Sequence, residues 1–163
     1  MVNAAKVRWR GNLLFLLVAA LVLTADQVTK ALIRANLVLG QSIPPEGRFR
    51  LSYSTNAGGV FGLPLNSSFL LILAAIVVVS IIWLYFRYLS AKGKLLQASL
   101  GLVLGGAGGN LLDRIRFGAV TDFIDVRLWG HYHWLNFNIA DASLNIGAII
   151  LAGLLLSAAR KQG

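Results

Sequence analysis

A chain of 163 residues that is 57% hydrophobic fits one domain, and it is too apolar to be an ordinary soluble one. The absence of cysteine excludes disulfides, thiol nucleophiles and lipid anchors carried on cysteine. The net charge of +9 arises from basic residues flanking apolar runs, so it reflects membrane topology and gives no indication of a nucleic-acid partner.

Four windows are apolar and long enough to cross a hydrocarbon core, which takes about 20 helical residues. The first spans residues 11–28. Lys6, Arg8 and Arg10 ahead of it resemble the basic region of a signal peptide. No small-residue cleavage site follows, because Thr24-Ala25 runs straight into Asp26-Gln27, and an uncleaved first helix is expected. Asp26 and Lys30 lie four apart at its outer end, where an ion pair on the helix surface is the simplest expectation.

The next segment, residues 30–67, contains Pro44-Pro45 and Pro64, which argue against a long helix. Within it Phe49 to Ser54 alternates apolar and polar residues, as a half-buried strand does. A glycine-rich turn from Asn56 to Gly62 follows. The expectation is a small sheet lying on the outer membrane surface.

The second apolar window, residues 69–86, is interrupted only by Ser80. The third, residues 95–112, carries Gln97, Ser99 and glycines at 101, 105 and 109. Small residues at that spacing let two helices approach closely; the alternative is a gap that admits a substrate segment. Residues 114–138 form the second outer segment. There Val120, Asp122, Ile124 and Val126 alternate with Thr121, Phe123, Asp125 and Arg127. Period two places Asp122 on the more apolar face and Asp125 on the polar face with Arg127. Trp129, Tyr132 and Trp134 fit an interfacial aromatic belt. The fourth window spans residues 139–159.

Basic residues set the orientation. Lys6, Arg8, Arg10, Arg87, Lys92, Lys94, Arg160 and Lys161 fall in three short segments without an acid. Lys30, Arg34, Arg48, Arg50, Arg114, Arg116 and Arg127 are spread over the two longer segments. Density near the helix ends favours both termini in the cytoplasm.

Five of the six acidic residues, Asp26, Asp113, Asp122, Asp125 and Asp141, sit at the ends of apolar stretches or between them. A carboxylate at the centre of a membrane helix costs roughly 2.5–3.5 kcal/mol on insertion scales, so each is a candidate functional residue. Asp113 precedes Arg114 at a helix end, and a supporting, ion-paired role is expected there. Asp122 and Asp141 have no basic residue within four positions, and capping and catalysis both stand open for them. Asn138, three residues before Asp141, is placed to cap the fourth helix, whose dipole favours an anion at Asp141. Two carboxylates that share a site share one proton. The ionised one takes a proton from water and the protonated one polarises a carbonyl, which is the division of labour in amide hydrolysis. It needs no metal, cofactor or nucleophilic side chain. His131 and His133 offer only a weak zinc signal, lacking a helical H-E-x-x-H context, and no serine is singled out as partner to Lys30. A proton-coupled transporter is the rival reading of intramembrane carboxylates. It predicts a polar path across the bilayer, whereas these acids gather at one side.

Five blocks then resemble, in order, those of the lipoprotein signal peptidases, or type II signal peptidases. They are Asp26-Gln27-Val28-Thr29-Lys30, Asn56-Ala57-Gly58-Gly59-Val60-Phe61, Gly105 through Arg114, Val120-Thr121-Asp122-Phe123-Ile124 and Phe137-Asn138-Ile139-Ala140-Asp141. Gly108 stands where that pattern has a larger apolar residue. The resemblance implies an all-α membrane bundle of four transmembrane helices with a small extracytoplasmic β-sheet and loop, a single peptidase domain over residues 1–163. It implies an aspartyl peptidase of the bacterial inner membrane, acting near the outer face as a monomer among membrane lipid. Its implied partner is a lipid-modified prolipoprotein, cut just before a cysteine that carries diacylglycerol. The implied catalytic pair is Asp122 and Asp141. Asn56, Asn110, Asp113, Arg114, Asn138 and Ala140 would support it, with Asp26 and Lys30 further out.

Overall fold

The computed structural model describes residues 2–60, 63–64, 67–84, 93–127 and 133–160, with the backbone alone at 2–12, 59–60, 63–64, 67–68, 71, 84 and 133–135. Among the described residues four helices are present: α1 (Val2–Asn36), α2 (Ser67–Leu84), α3 (Lys94–Phe117) and α4 (Ile139–Ala159). The strands are β1 (Ser42–Ile43), β2 (Phe49–Asn56), β3 (Gly59–Val60), β4 (Leu63–Pro64), β5 (Val120–Arg127) and β6 (His133–Phe137). Among the described residues three helical stretches are long and apolar enough to cross a membrane: Leu13–Asn36, Lys94–Phe117 and Ile139–Ala159. In α2 the described residues contribute a shorter apolar run, Ile72–Trp83, so three of the four expected spans are met in full.

Helix α3 lies at the centre, packed against α1, α2 and α4. Glycines make this possible. A Cβ at Gly105 would lie 2.7 Å from both the Ala19 carbonyl oxygen and the Val22 Cβ, and one at Gly101 would lie 2.8 Å from the Phe15 carbonyl. Gly106 meets α4 in the same way, with a Cβ 2.5 Å from the Ala140 carbonyl. The glycine stripe is therefore filled by α1, and the alternative of a substrate gap along it is overturned. Among the described residues Gly108 faces only Leu23, a Cβ there lying at an ordinary 3.7 Å. Phe15 and Leu100 seal the α1–α3 contact with Leu96, Leu104, Ile81 and Leu151 around them. Outward, Leu21, Ile72, Val79, Ile149 and Leu155 are exposed, as suits helices whose solvent is lipid.

Gly105→Ala is expected to cost about 1–3 kcal/mol through overpacking against backbone. Gly153→Ala, which meets nothing within 4 Å among the described residues, is expected to be neutral or stabilising. Thermal unfolding in detergent checks both, and equal effects would contradict the packing.

Two helices run past the apolar windows. The first continues through Arg34 to Asn36, and the third continues through Asp113, Arg114 and Arg116 to Phe117. Arg114 is thus helical and does not open an outer loop. Charges extend these helices because Arg34 and Asp113 pair across the helix interface, while Arg114 and Arg116 in the last turn complement the α3 dipole. Gly118 then ends α3 at φ 72°, its N–H donating to the Arg114 carbonyl at 3.1 Å, and turns the chain into β5.

The larger sheet has the order β1-β2-β5-β6, all antiparallel, and β3 pairs with β4 separately. The strand expected at Phe49–Ser54 falls within β2, and the one expected from Val120 falls on β5. A bulge lies between Leu51 and Ser54, opposite the step from Ile124 to Asp122. Bulges bend and twist a strand and re-aim side chains, and this one sits directly beside Asp122.

Candidate active site

The ends of three helices and the start of β5 deliver polar side chains to one buried cluster. From α1, the Asp26 carboxylate sits 2.8 Å from Lys30 Nζ, both side chains fully buried. The expected surface ion pair is thus an interior one. The reason lies on α3, where a Cβ at Gly109 would fall 2.5 Å from Asp26 Oδ2, so only glycine lets the helices close over the pair. Asp26 also accepts from the Ala140 N–H at 3.0 Å, satisfying a first-turn donor of α4 with an anion from α1. Ala140 itself is fully buried.

Asp113 is ion-paired, with cations that come from α1. Its carboxylate lies 3.4 Å from Lys30 and 3.6 Å from Arg34, and it accepts from the Gln27 amide at 3.1 Å and the Thr121 N–H at 2.9 Å. Arg34 also donates to the Thr121 hydroxyl at 2.8 Å and lies 4.4 Å over the Phe117 ring. The Thr121 carbonyl accepts from the Asn138 amide at 3.3 Å. Every polar group of Thr121 is therefore tied to a different element, which fixes Asp122 next to it.

Asp122 and Asp141 are brought together by two asparagines. Asn138 caps α4, accepting from the Asp141 N–H at 2.9 Å while its own N–H donates to Asp141 Oδ2 at 3.3 Å. This is the capping box expected from the Asn-x-x-Asp spacing. The Asn138 amide N–H donates to Asp122 Oδ1 at 2.7 Å. Asn110 donates to Asp141 Oδ1 at 2.7 Å and accepts from Lys30 at 3.0 Å. Burial pushes the Asp122 carboxyl up to about 7, and the neighbouring Asp141 adds to that rise. The Asn138 amide, Lys30 and Arg114 oppose it.

Asp125 points to the other face of β5, as period two requires, but it is not solvated there. It is 1% exposed, accepts from Arg50 Nε at 2.9 Å and lies 3.9 Å from Arg127. The loop before β2 covers this pair, since Arg50 also donates to the Pro45 carbonyl at 2.7 Å. Asn56 ends β2 opposite Val120, and its side-chain oxygen accepts from the Gly58 N–H at 3.1 Å.

A cavity of about 290 Å³ opens between α2 and α3, lined by Leu70, Leu73, Ala74, Val77, Asn110 and Arg114 among others. Arg114 donates to the Asn110 carbonyl at 3.4 Å, and its buried Nε has no hydrogen-bond partner among the described residues. An apolar wall with a few convergent polar groups is the usual make-up of a ligand site.

Trp129, His131 and Tyr132 lie outside the described residues, and His133 and Trp134 are described by backbone alone. Sequence reasoning missed Gln27, Arg34 and Thr121. The 26, 30, 34 spacing on one helix face was a visible signal for Arg34; nothing local marks Thr121.

Residues 18–157 match the family described as signal peptidase (SPase) II. The chain is 45% identical over 150 residues to the lipoprotein signal peptidase of Moorella thermoacetica, covering 91% of this chain and 97% of that one. It is 42% identical over 141 residues to the lipoprotein signal peptidase of Desulforapulum autotrophicum, covering 82% and 86%. A solved structure of a bacterial membrane enzyme superposes with a TM-score of 0.80 at 29% identity, covering 91% of each chain.

Proposed function

The chain belongs to the signal peptidase II family, and from that premise we propose that it is an aspartyl endopeptidase of the bacterial inner membrane. It removes the signal peptide from diacylglyceryl-modified prolipoproteins, cutting before the lipid-bearing cysteine, and Asp122 and Asp141 are its catalytic pair. One observation carries the assignment. Asp26, Asp113 and Asp125 each form an ion pair, whereas Asp122 and Asp141 form none among the described residues. Three acids are thus neutralised by cations, and two are left facing each other through asparagine amides.

Charge balance supports a single shared proton. The cluster sets Asp26, Asp113, Asp122 and Asp141 against Lys30, Arg34 and Arg114. A poorly solvated cluster favours neutrality, which one proton on the pair supplies. The ionised carboxylate then removes a proton from water while the protonated one polarises the scissile carbonyl. Arg114, with its unengaged donor at the cavity wall, is suited to holding a backbone carbonyl of the bound signal peptide. Asn110 and Asn138 orient the carboxylates, while Asp26, Lys30 and Asp113 hold the helices that carry them. Asn56 closes the site from the sheet side.

In the membrane, α1, α3 and α4 span and α2 completes the bundle as a fourth crossing. Both termini then face the cytoplasm, and the sheet with the catalytic pair lies at the outer face. The protein acts as a monomer among membrane lipid. The gathering of the acids at one end of the helices gives the rival transport reading no support, since transport requires a polar path across the bilayer.

Two acyl chains on the substrate cysteine would hold the scissile bond at the depth of the pair, each buried CH₂ contributing about 0.8 kcal/mol. Lipid-modified precursor is therefore expected to be cut far faster than the same precursor without its diacylglycerol, as followed by gel shift with purified protein. Equal rates on the two precursors would overturn the substrate assignment.

A further inference from the structure

The hydrogen-bond donors around the pair differ between its two members. Lys30 Nζ has donors only, so the Asn110 side chain must turn its oxygen to it, at 3.0 Å. Its NH₂ group therefore faces Asp141 Oδ1, at 2.7 Å. Turning this amide over would set NH₂ against a fully buried ammonium. The Asn138 side chain is fixed in the same manner. Its oxygen accepts from the Asp141 backbone N–H at 2.9 Å, so its NH₂ faces Asp122 Oδ1 at 2.7 Å. Asp141 Oδ2 accepts from the Asn138 backbone N–H at 3.3 Å.

Three of the four carboxyl oxygens thus face N–H donors. A carboxyl oxygen that bears a proton is a poor acceptor, and its O–H would point at another donor. Only Asp122 Oδ2 meets no N–H among the described residues. The charged groups around the pair are Lys30 from α1, Arg114 from α3 and, beside Asp141, Asp26 from α1.

We propose that the shared proton resides on Asp122 Oδ2 and that Asp141 is the base, an assignment that rests on reading the two as a hydrolytic pair. In the first step a water O–H bond breaks and its proton passes to Asp141. The water oxygen bonds to the scissile carbon, the carbonyl π pair moves to oxygen, and that oxygen takes the proton from Asp122 Oδ2. A neutral gem-diol results, with Asp122 ionised and Asp141 protonated. In the second step the C–N bond breaks and the leaving nitrogen takes the proton from Asp141. One diol hydroxyl re-forms the carbonyl and returns its proton to Asp122. The starting protonation state is restored.

Infrared difference spectroscopy of the intact detergent-solubilised protein, titrated across the value near 7 expected for Asp122, tests this through the protonated-carboxyl stretch. The band is expected on the acid side in the unsubstituted protein and in Asp125→Asn, and to be lost in Asp122→Asn. In Asp141→Asn it is expected to persist with its midpoint moved to lower pH, because burial still raises Asp122 but the Asp141 charge no longer does. A band that survives in Asp122→Asn overturns the assignment. Cleavage assays on the same samples separate the two ideas. If both Asp122→Asn and Asp141→Asn still process lipid-modified precursor, the pair itself is misread. If both are inactive while the band survives in Asp122→Asn, the pair stands and the proton's place is wrong.

Discussion

Asp122→Asn and Asp141→Asn are each expected to lower kcat on lipid-modified precursor by about 10²- to 10⁴-fold, the usual contribution of a positioned acid or base. The substitutions keep shape and one oxygen, which still accepts from the Asn138 amide in Asp122→Asn and from the Asn110 amide in Asp141→Asn. In the latter only the 3.3 Å bond from the Asn138 backbone N–H is given up. Neither residue is ion-paired among the described residues, so no buried cation is left without its partner. Unfolding temperature and membrane insertion should therefore stay close to those of the parent. Substantial turnover by either variant would show that the chemistry lies elsewhere.

Lys30→Met is expected to act through stability. Lys30 is fully buried and compensates both Asp26 and Asp113, at 2.8 and 3.4 Å. Removing one partner of a buried ion pair leaves uncompensated charge and costs about 3–5 kcal/mol. Two carboxylates would be left without the buried ammonium between them, and the Arg34 that remains at 3.6 Å from Asp113 is 18% exposed. Unfolding in detergent should show the loss directly. A change below about 1 kcal/mol, the size typical of a surface pair, would contradict the burial. Activity should fall as well, because Asn110 loses the contact that fixes its amide.

The apolar runs made the helices legible, since spanning a bilayer leaves little choice of structure. Their ends were less so. Helices α1 and α3 pass into charged sequence because Asp26, Lys30, Arg34 and Asp113 satisfy one another across the interface, and such pairings have no local signature. Spacing alone linked Asp26 to Lys30, but the fate of that pair depended on Gly109, eighty residues on, letting the helices close over it. Alternation along β5 separated Asp122 from Asp125 correctly. It could not show that Arg50, on another strand, would bury Asp125 too. The two Asn-x-x-Asp echoes look alike in sequence yet serve different ends. Asn110 and Asn138 both reach the pair, whereas Asp113 joins the ion cluster and Asp141 joins Asp122. The lack of a basic residue within four positions already singled out Asp122 and Asp141, with capping an equal alternative, and the resemblance pointed to the same pair. In the structure Asp141 does join a capping box, while neither acid is ion-paired among the described residues.

The central claim is cleavage beside a lipid-bearing cysteine by Asp122 and Asp141, and mass spectrometry of the products tests it most directly. Purified protein in lipid is mixed with a diacylglyceryl-modified precursor, alongside the Asp122→Asn/Asp141→Asn double variant. One new product is expected from the unsubstituted protein, beginning at the lipid-bearing cysteine, and none from the double variant. A product beginning at any other residue, or the same product from the double variant, would contradict it.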